Sequence, residues 1–443
     1  MRLVEGFQSA KSVLSRRATA EFYSASPAVA SRLREVFGRE IGLEQAVKEI
    51  IDEVRRRGDA ALQEYTAKLD GVALTSLEVG KEQISAAYDR VDEELVSALK
   101  LAAGQITSFH NAQKDCIWHG FTGRDAGQLI RPLERVGIYV PGGTAYYPST
   151  VLMTAIPARV AGVKETVLTT PPGRNGMVPP PTLVAADIAG VGRIFAIGGA
   201  QAIAALAYGT ESVPQVDKIC GPGNVFVVLA KKLVYGVVDI DGLQGPSEVV
   251  VIADDSASPQ YCASDLLAQA EHDPLASAIL ITTSRRLADE VSREIEQRLA
   301  RLKRKDIATE SLASRGMIVL VANLDEAMEL ANLYAPEHLC LMFDNANSYL
   351  DKVTNAGCVF IGQNSSVVFG DYVAGPSHAL PTGGTARFGS PLNITDFIKF
   401  ISRVAVDEAN LSELGRAAAI IARAEGLEAH AQAIEERLKK ARS

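Results

Sequence analysis

The chain has 443 residues, 47% of them hydrophobic and 22% charged, with a formal net charge of −8. That length exceeds one small core and that composition is globular, so two or more folded domains are expected and a disordered chain is excluded. The negative charge speaks against a nucleic-acid surface, and no apolar run reaches the roughly 18–20 residues of a membrane span.

Residues 1–35 read as a polar arm with small apolar patches, an element that docks elsewhere on the fold or on a partner. The first residues lack the apolar core of a signal peptide, and Glu5 and Glu21 weigh against a transit peptide, so the cytoplasm is the expected compartment. Helical spacing follows at 43–70, where Val47, Ile50, Ile51, Val54, Leu62 and Tyr65 recur, and again at 81–113. From 136 the pattern changes to short apolar runs, each leading to a Gly or Pro turn. Residues 136–140 lead to Pro141-Gly142-Gly143 and 165–170 to Pro171-Pro172-Gly173. Residues 193–197 lead to Gly198-Gly199-Ala200 and a helix at 201–208, and 218–220 to Gly221-Pro222-Gly223 and a helix at 224–234. Pro179-Pro180-Pro181 fits a loop entering a helix. Repeated strand–turn–helix units predict a parallel sheet with crossover helices.

Further strands are expected at 249–253, 278–283, 317–321, 340–343 and 358–361. They form a second α/β unit, which the helices at 43–113 would complete. Charges of alternating sign between Arg285 and Asp306 mark a solvated helix. The last fifty residues read as helices at 394–404, 410–424 and 427–441.

Four of the six histidines stand near an acid or amide, all after residue 268: Gln269-Ala270-Glu271-His272, Glu337-His338, Gly370-Asp371-Tyr372 with His378 beyond, and Glu425 with His430. His110 and His119 read as surface or packing residues. Gln269 and His272 share a helix face, which suits either two ligands of one metal or a polar helix end. Asp371 after Gly370 reads as an aimed carboxylate or a turn cap. His430 by itself is a surface histidine. Together, Gln269, His272, Asp371 and His430 form an N/O donor set suited to Zn²⁺ or a similar ion. Glu337-His338 follows Pro336, which predicts an extended Ala335. The dyad is either an acid–base pair or a polar helix end. The Gly turns could cradle a pyrophosphate, yet no GxGxxG with a following acid is present. The five cysteines are scattered without a CxxC pair, as in a reducing compartment. From residues alone, the chain reads as a metal-containing α/β enzyme with a nucleotide site, against which stand a zinc hydrolase and a non-catalytic nucleotide-binding protein.

Taken together, these strings resemble the histidinol dehydrogenase family. The matching strings include Val136-Gly137-Ile138-Tyr139-Val140-Pro141-Gly142-Gly143, Gly198-Gly199-Ala200-Gln201, Asp217-Lys218-Ile219-Cys220-Gly221-Pro222-Gly223-Asn224 and Gly245-Pro246-Ser247-Glu248. Gln269-Ala270-Glu271-His272, Ala335-Pro336-Glu337-His338-Leu339, Gly370-Asp371-Tyr372, Ser377-His378-Ala379-Leu380-Pro381-Thr382 and Glu425-Gly426-Leu427-Glu428-Ala429-His430 continue them, in order, from about residue 30 to the end.

The resemblance implies two Rossmann-like parallel-sheet domains with small helical N- and C-terminal extensions. The expected division is an arm at 1–35, a zinc and catalytic domain at 36–137 plus 249–393, a dinucleotide domain at 138–248, and a C-terminal helical extension at 394–443. It further implies NAD-dependent oxidation of L-histidinol to L-histidine through the aldehyde. Zn²⁺, one per subunit, would be held by Gln269, His272, Asp371 and His430. Glu337 and His338 would be catalytic. Ser247, Gln269, His272, Glu337, His338, Asp371, His378, Glu425 and His430 would line the substrate site, and Tyr139, Gln201 and Asn224 would meet NAD. The family forms homodimers, with Glu425 and His430 acting in the partner's site. Two departures stand beside the presumed pocket: Asn364-Ser365-Ser366 where many relatives carry Thr-Pro, and Ser377 where Asn is usual. They leave a related dehydrogenase of another amino- or sulfo-diol as the alternative.

Overall fold

The computed structural model describes residues 1–15, 27–123, 125–142 and 146–440, so part of the expected N-terminal arm and Gly143 lie outside the described residues. Two parallel sheets carry most of the chain. One has six strands in the order Arg2–Glu5, Met317–Leu320, Ser277–Thr282, Glu248–Ala253, His338–Met342 and Cys358–Ile361. The other has five, in the order Arg193–Phe195, Glu165–Thr169, Arg135–Tyr139, Lys218–Cys220 and Asp239–Ile240.

The central strand Glu248–Ala253 is buried along its whole length, which explains its unbroken apolar run. Val249 and Val251 pack to one face, with the helices Pro259–Ala270 and Arg285–Leu299. Val250 and Ile252 pack to the other, with Phe7–Leu14 and Leu324–Tyr334. The chain moves outward one way from this strand, then returns to place His338–Met342 on its other side. Topology thus brings Ser247, Glu248, Glu337 and His338 to one edge, at the amino ends of two neighbouring strands.

Several expectations need correcting. The arm expected at 1–35 contributes Arg2–Glu5 as an edge strand of the six-stranded sheet, with Val4 buried. The helix Leu43–Arg57, expected to complete that half, packs on the other one. Leu43–Arg57 seats its stripe of Val47, Ile50, Ile51 and Val54 on the alanine-rich helix Gly199–Tyr208 of the five-stranded half, where small side chains permit close approach. The helix expected at 394–404 is a short 3₁₀ turn, Ile394–Phe397, followed by the strand Ile398–Val404. Its alternation of Ile398, Phe400 and Val404 with Lys399 and Arg403 suits a pleated strand, and Ala126–Pro132 gives it an antiparallel partner.

By contact pattern the chain forms two compact units, Met1–Ala112 with Leu133–Phe397 and Gln113–Pro132 with Ile398–Ser443. The smaller holds a three-stranded antiparallel sheet and a hairpin of the helices Glu408–Ala424 and Glu428–Lys440. Arg423 ties the hairpin together through Glu428 and Glu435. No helix among the described residues is long and apolar enough to cross a membrane.

In the five-stranded half, Lys231 and Asp241 form a buried ion pair that grips one turn from both sides. Lys231 Nζ donates to the Gly221 carbonyl at 3.0 Å, and the Gly221 N–H donates to Asp241 Oδ2 at 2.7 Å. Lys231→Ala leaves Asp241 buried without its counter-charge and should cost roughly 3–5 kcal/mol. Denaturant unfolding of the variant checks this, and Lys231→Met with Asp241→Leu should recover most of the loss.

Candidate active site

The acid–base pair is set by how the helix Leu324–Tyr334 ends. Pro336 predicts an extended Ala335, but the structure places Ala335 in the left-handed region (φ 53, ψ 66), its N–H donating to the Ala331 carbonyl. Helix capping outweighs the pre-proline preference here, at a cost of about 1–2 kcal/mol for a residue with a Cβ. Backbone strain therefore sits two residues from Glu337. The carbonyls of Pro336 and Glu337 then accept from the N–H groups of Gly357 and Cys358, fixing the segment before His338 opens its strand.

Both side chains are buried. Glu337 Oε2 accepts from the Glu248 N–H at 2.8 Å, and His338 Nδ1 donates to the Glu248 carbonyl at 3.0 Å. Glu337 and Asp371 each stand 3.5 Å from the imidazole, Glu337 at Nδ1 and Asp371 at Nε2. Burial drives the Glu337 carboxyl up to about 8. Burial opposes charge on His338, but the carboxylates of Glu337 and Asp371 outweigh it and hold the imidazole at about 9. The pair can store a proton on the ring and release it when the surrounding negative charge is neutralised.

Asp371 lies in the last turn of the short helix Val367–Tyr372, capped by Ser366. Ser366 also donates to the buried Asp265 at 2.6 Å, tying this helix to Pro259–Ala270, which carries Gln269. Ser366, one of the departures from the family pattern, thus has a structural task. So does Ser377, whose hydroxyl donates to the Met153 carbonyl at 3.0 Å. Gly370 has no room for a side chain, because a Cβ there would lie 2.6 Å from Phe360 Cζ, and the same Phe360 ring lies beside His338. Burial opposes ionisation of Asp371, yet the hydrogen bond and charge of His338, with His378 and His272, hold it below the usual carboxylate range. His272, just past the end of the Pro259–Ala270 helix, is depressed by burial. An ionised Asp371, a neutral His272 and the buried Gln269 are the states and donor types a divalent cation takes.

His378 joins this edge to the other sheet. Its Nδ1 donates to the Asp371 carbonyl at 2.8 Å, and burial depresses the ring, so the neutral Nε2 accepts from Thr150 Oγ1 at 3.2 Å. Thr150 begins the helix that follows Arg135–Tyr139. Tyr139, Gln201 and Asn224 all lie past the carboxyl ends of the five-stranded sheet. The Tyr139 hydroxyl accepts from the Gly199 N–H at 3.2 Å, and Asn224 Oδ1 caps the helix Val225–Val234.

The larger unit therefore brings together Glu337, His338, Asp371, His378 and His272, with Gln269 one turn before His272. Ser247 directly precedes the Glu248 strand. Glu425 and His430 belong to the smaller unit, where both are exposed, Glu425 capping Glu408–Ala424 and His430 on Glu428–Lys440. Among the described residues no group of three or more His, Cys, Asp or Glu side chains is gathered as a metal cluster. Sequence reading missed Glu248, the hub for both members of the dyad, Asp265 and Thr150. Glu248 left a signal, as the one charge opening an apolar strand, whereas Thr150 left none.

The family model described as histidinol dehydrogenase matches residues 38–438. The histidinol dehydrogenase of Dehalococcoides mccartyi strain CBDB1 is 57% identical over 99% of this chain and 100% of its own length. That of Deinococcus radiodurans is 53% identical over 93% and 94%. The crystal structure of histidinol dehydrogenase from Elizabethkingia anophelis superposes with a TM-score of 0.91 at 36% identity, covering 100% of this chain and 99% of that one.

Gly370→Ala must displace Asp371 or the Phe360 ring from the imidazole. A misplacement of about 1 Å costs on the order of a hundredfold in rate. Steady-state kinetics on the folded variant should show such a fall in kcat, and wild-type kcat would show that the placement of Asp371 is not needed.

Proposed function

The chain belongs to the histidinol dehydrogenase family of oxidoreductases, and on that premise we propose that it oxidises L-histidinol to L-histidine through the aldehyde, within histidine biosynthesis. Two NAD⁺ molecules take one hydride each, in succession. The observation that carries this reading is the buried Glu337–His338 pair with Asp371 at the far side of the imidazole.

His338 takes the alcohol proton as hydride leaves the carbinol carbon for the first nicotinamide. Its Nδ1 hydrogen bond to the Glu248 carbonyl fixes the ring so that Nε2 is the working nitrogen. Glu337 orients and deprotonates the water that adds to the aldehyde while His338 returns its proton to the former carbonyl oxygen, and the hydrate gives up the second hydride with the again neutral His338 as base. Four electrons leave one carbon, and the oxygen gained comes from that water. A divalent cation such as Zn²⁺, one per subunit, would be held by Gln269, His272, Asp371 and His430, anchoring the substrate's nitrogens and neutralising Asp371. His338 then loses one of the two carboxylates that hold its proton. Ser247, His378 and Glu425 complete the substrate contacts, and Tyr139, Gln201 and Asn224 receive the dinucleotide.

The working assembly is a homodimer in which Glu425 and His430 of the partner subunit complete each site. Support comes from the smaller unit, which exposes Leu414, Ile420 and Ile421 on one helix and Phe400, Ile401 and Val404 on its strand, an apolar surface that association would cover. The compartment is the cytoplasm, in keeping with five unpaired cysteines.

Each histidinol consumed should yield two NADH, read by absorbance. A yield of one with free aldehyde would overturn the single-site scheme. His338→Asn should lower kcat by roughly 10²–10⁴-fold with bound zinc and KM little altered, and loss of zinc instead would refute its assigned role. Inactive His338→Asn and His430→Ala subunits, mixed to form heterodimers, should regain part of the activity, because one of the two sites is then intact. Heterodimers as inactive as their parents would rule out sharing between subunits.

A further inference from the structure

Asp70 ends the helix Asp59–Leu69, its N–H donating to the Thr66 carbonyl. The segment beyond it runs along the edge of the five-stranded sheet, where the Val79 N–H donates to Ile194 and the Ala196 N–H donates to Leu77. Leu69, next to Asp70, packs against the core that holds Tyr139 and Ala200, and its helix contacts Gly199–Tyr208, which sets Asp70 on the Tyr139 side of that sheet.

Two polar groups meet at the first turn of the Gly199–Tyr208 helix. The Tyr139 hydroxyl holds the Gly199 N–H. Gln201 is completely buried, and neither its Oε1 nor its Nε2 finds a hydrogen-bond partner among the described residues. Its amide folds back over Gly199, where a Cβ would lie 2.6 Å from Oε1 and the φ of +63 strains any residue with a side chain. Asp70 Oδ2 is likewise buried without a partner among the described residues. Burial raises the Asp70 carboxyl to about 6, so keeping it ionised at neutral pH costs stability, and Oδ2 recovers none of it from a hydrogen bond among the described residues.

A carboxylate only accepts hydrogen bonds, and a phosphate beside it would be repelled. A helix N-terminus draws the pyrophosphate, and the groups flanking a pyrophosphate in a dinucleotide are riboses, each with two hydroxyl donors. We propose that Asp70 is a cofactor-positioning residue that accepts hydrogen bonds from a ribose diol of the bound dinucleotide. The inference rests on the NAD reading above and adds to it a residue outside the motifs that carried it.

NADH binding to the purified full-length protein, read by fluorescence without histidinol, tests this. Asp70→Asn should weaken NADH roughly ten- to hundredfold, the usual cost of losing a hydrogen bond to a charged group, while leaving the melting temperature equal or higher. Asp70→Ser serves as the readout should the Asn variant misfold. Competition by ADP assigns the ribose: ADP weakened in parallel marks the adenosine side, and ADP unaffected marks the nicotinamide side. NADH affinity within twofold of wild type overturns the proposal, as does a lowered melting temperature with binding intact, which marks a structural carboxylate. Wild-type protein that binds no NADH would instead overturn the dinucleotide reading itself.

Discussion

The backbone of Glu248 holds both members of the acid–base pair, its N–H on the Glu337 carboxylate and its carbonyl on the His338 ring. The backbone of this one residue fixes the register between two neighbouring strands and the tautomer of the imidazole at once. Burial raises the Glu337 carboxyl, while the carboxylates of Glu337 and Asp371 overcome burial to raise His338, so the two groups bind protons with similar strength and can exchange them. Asp371, carried in by a capped helix and a glycine pressed on Phe360, supplies the remaining negative charge. The strained Ala335 is part of the same construction, since it turns the chain out of one helix and directly into the dyad.

Open parallel sheets ordinarily bind ligands beyond the carboxyl ends of their strands. In the five-stranded sheet, Tyr139, Gln201 and Asn224 stand at or beyond that end. The six-stranded sheet does the reverse, because Ser247, Glu248, Glu337 and His338 stand at amino ends. His378, bonded to Asp371 on one side and Thr150 on the other, is where these two opposite edges meet. Such a pairing suits chemistry in which one reactant arrives on each sheet.

Much of this was legible in the sequence. Strand–turn–helix repeats carry the parallel sheets because apolar runs and glycine turns are local signals. The polar clusters around His272, His338 and His378 stood out because histidine is rare in this chain. What escaped was non-local. The strand Ile398–Val404 needs Ala126–Pro132 beside it before its alternation means anything. The helices near residue 50 gave their apolar stripe but not the surface that receives it. Glu248 and Asp70 are ordinary acids until the fold removes their water, and the left-handed Ala335 is a contest between a helix cap and a proline that sequence alone awards to the wrong side.

The edge strand Arg2–Glu5 pairs with Met317–Leu320, a partner translated some 315 residues later. At a synthesis rate of about 5–20 residues per second, the wait on the ribosome is roughly 15–60 s. Throughout that interval the six-stranded sheet cannot be finished at its outer margin, while all five strands of the other sheet, within residues 135–240, have already been made. The five-stranded sheet therefore has its full set of strands before the six-stranded sheet does. The segment Arg2–Glu5 must stay unpaired, and clear of other exposed strands, until its partner strand has been made.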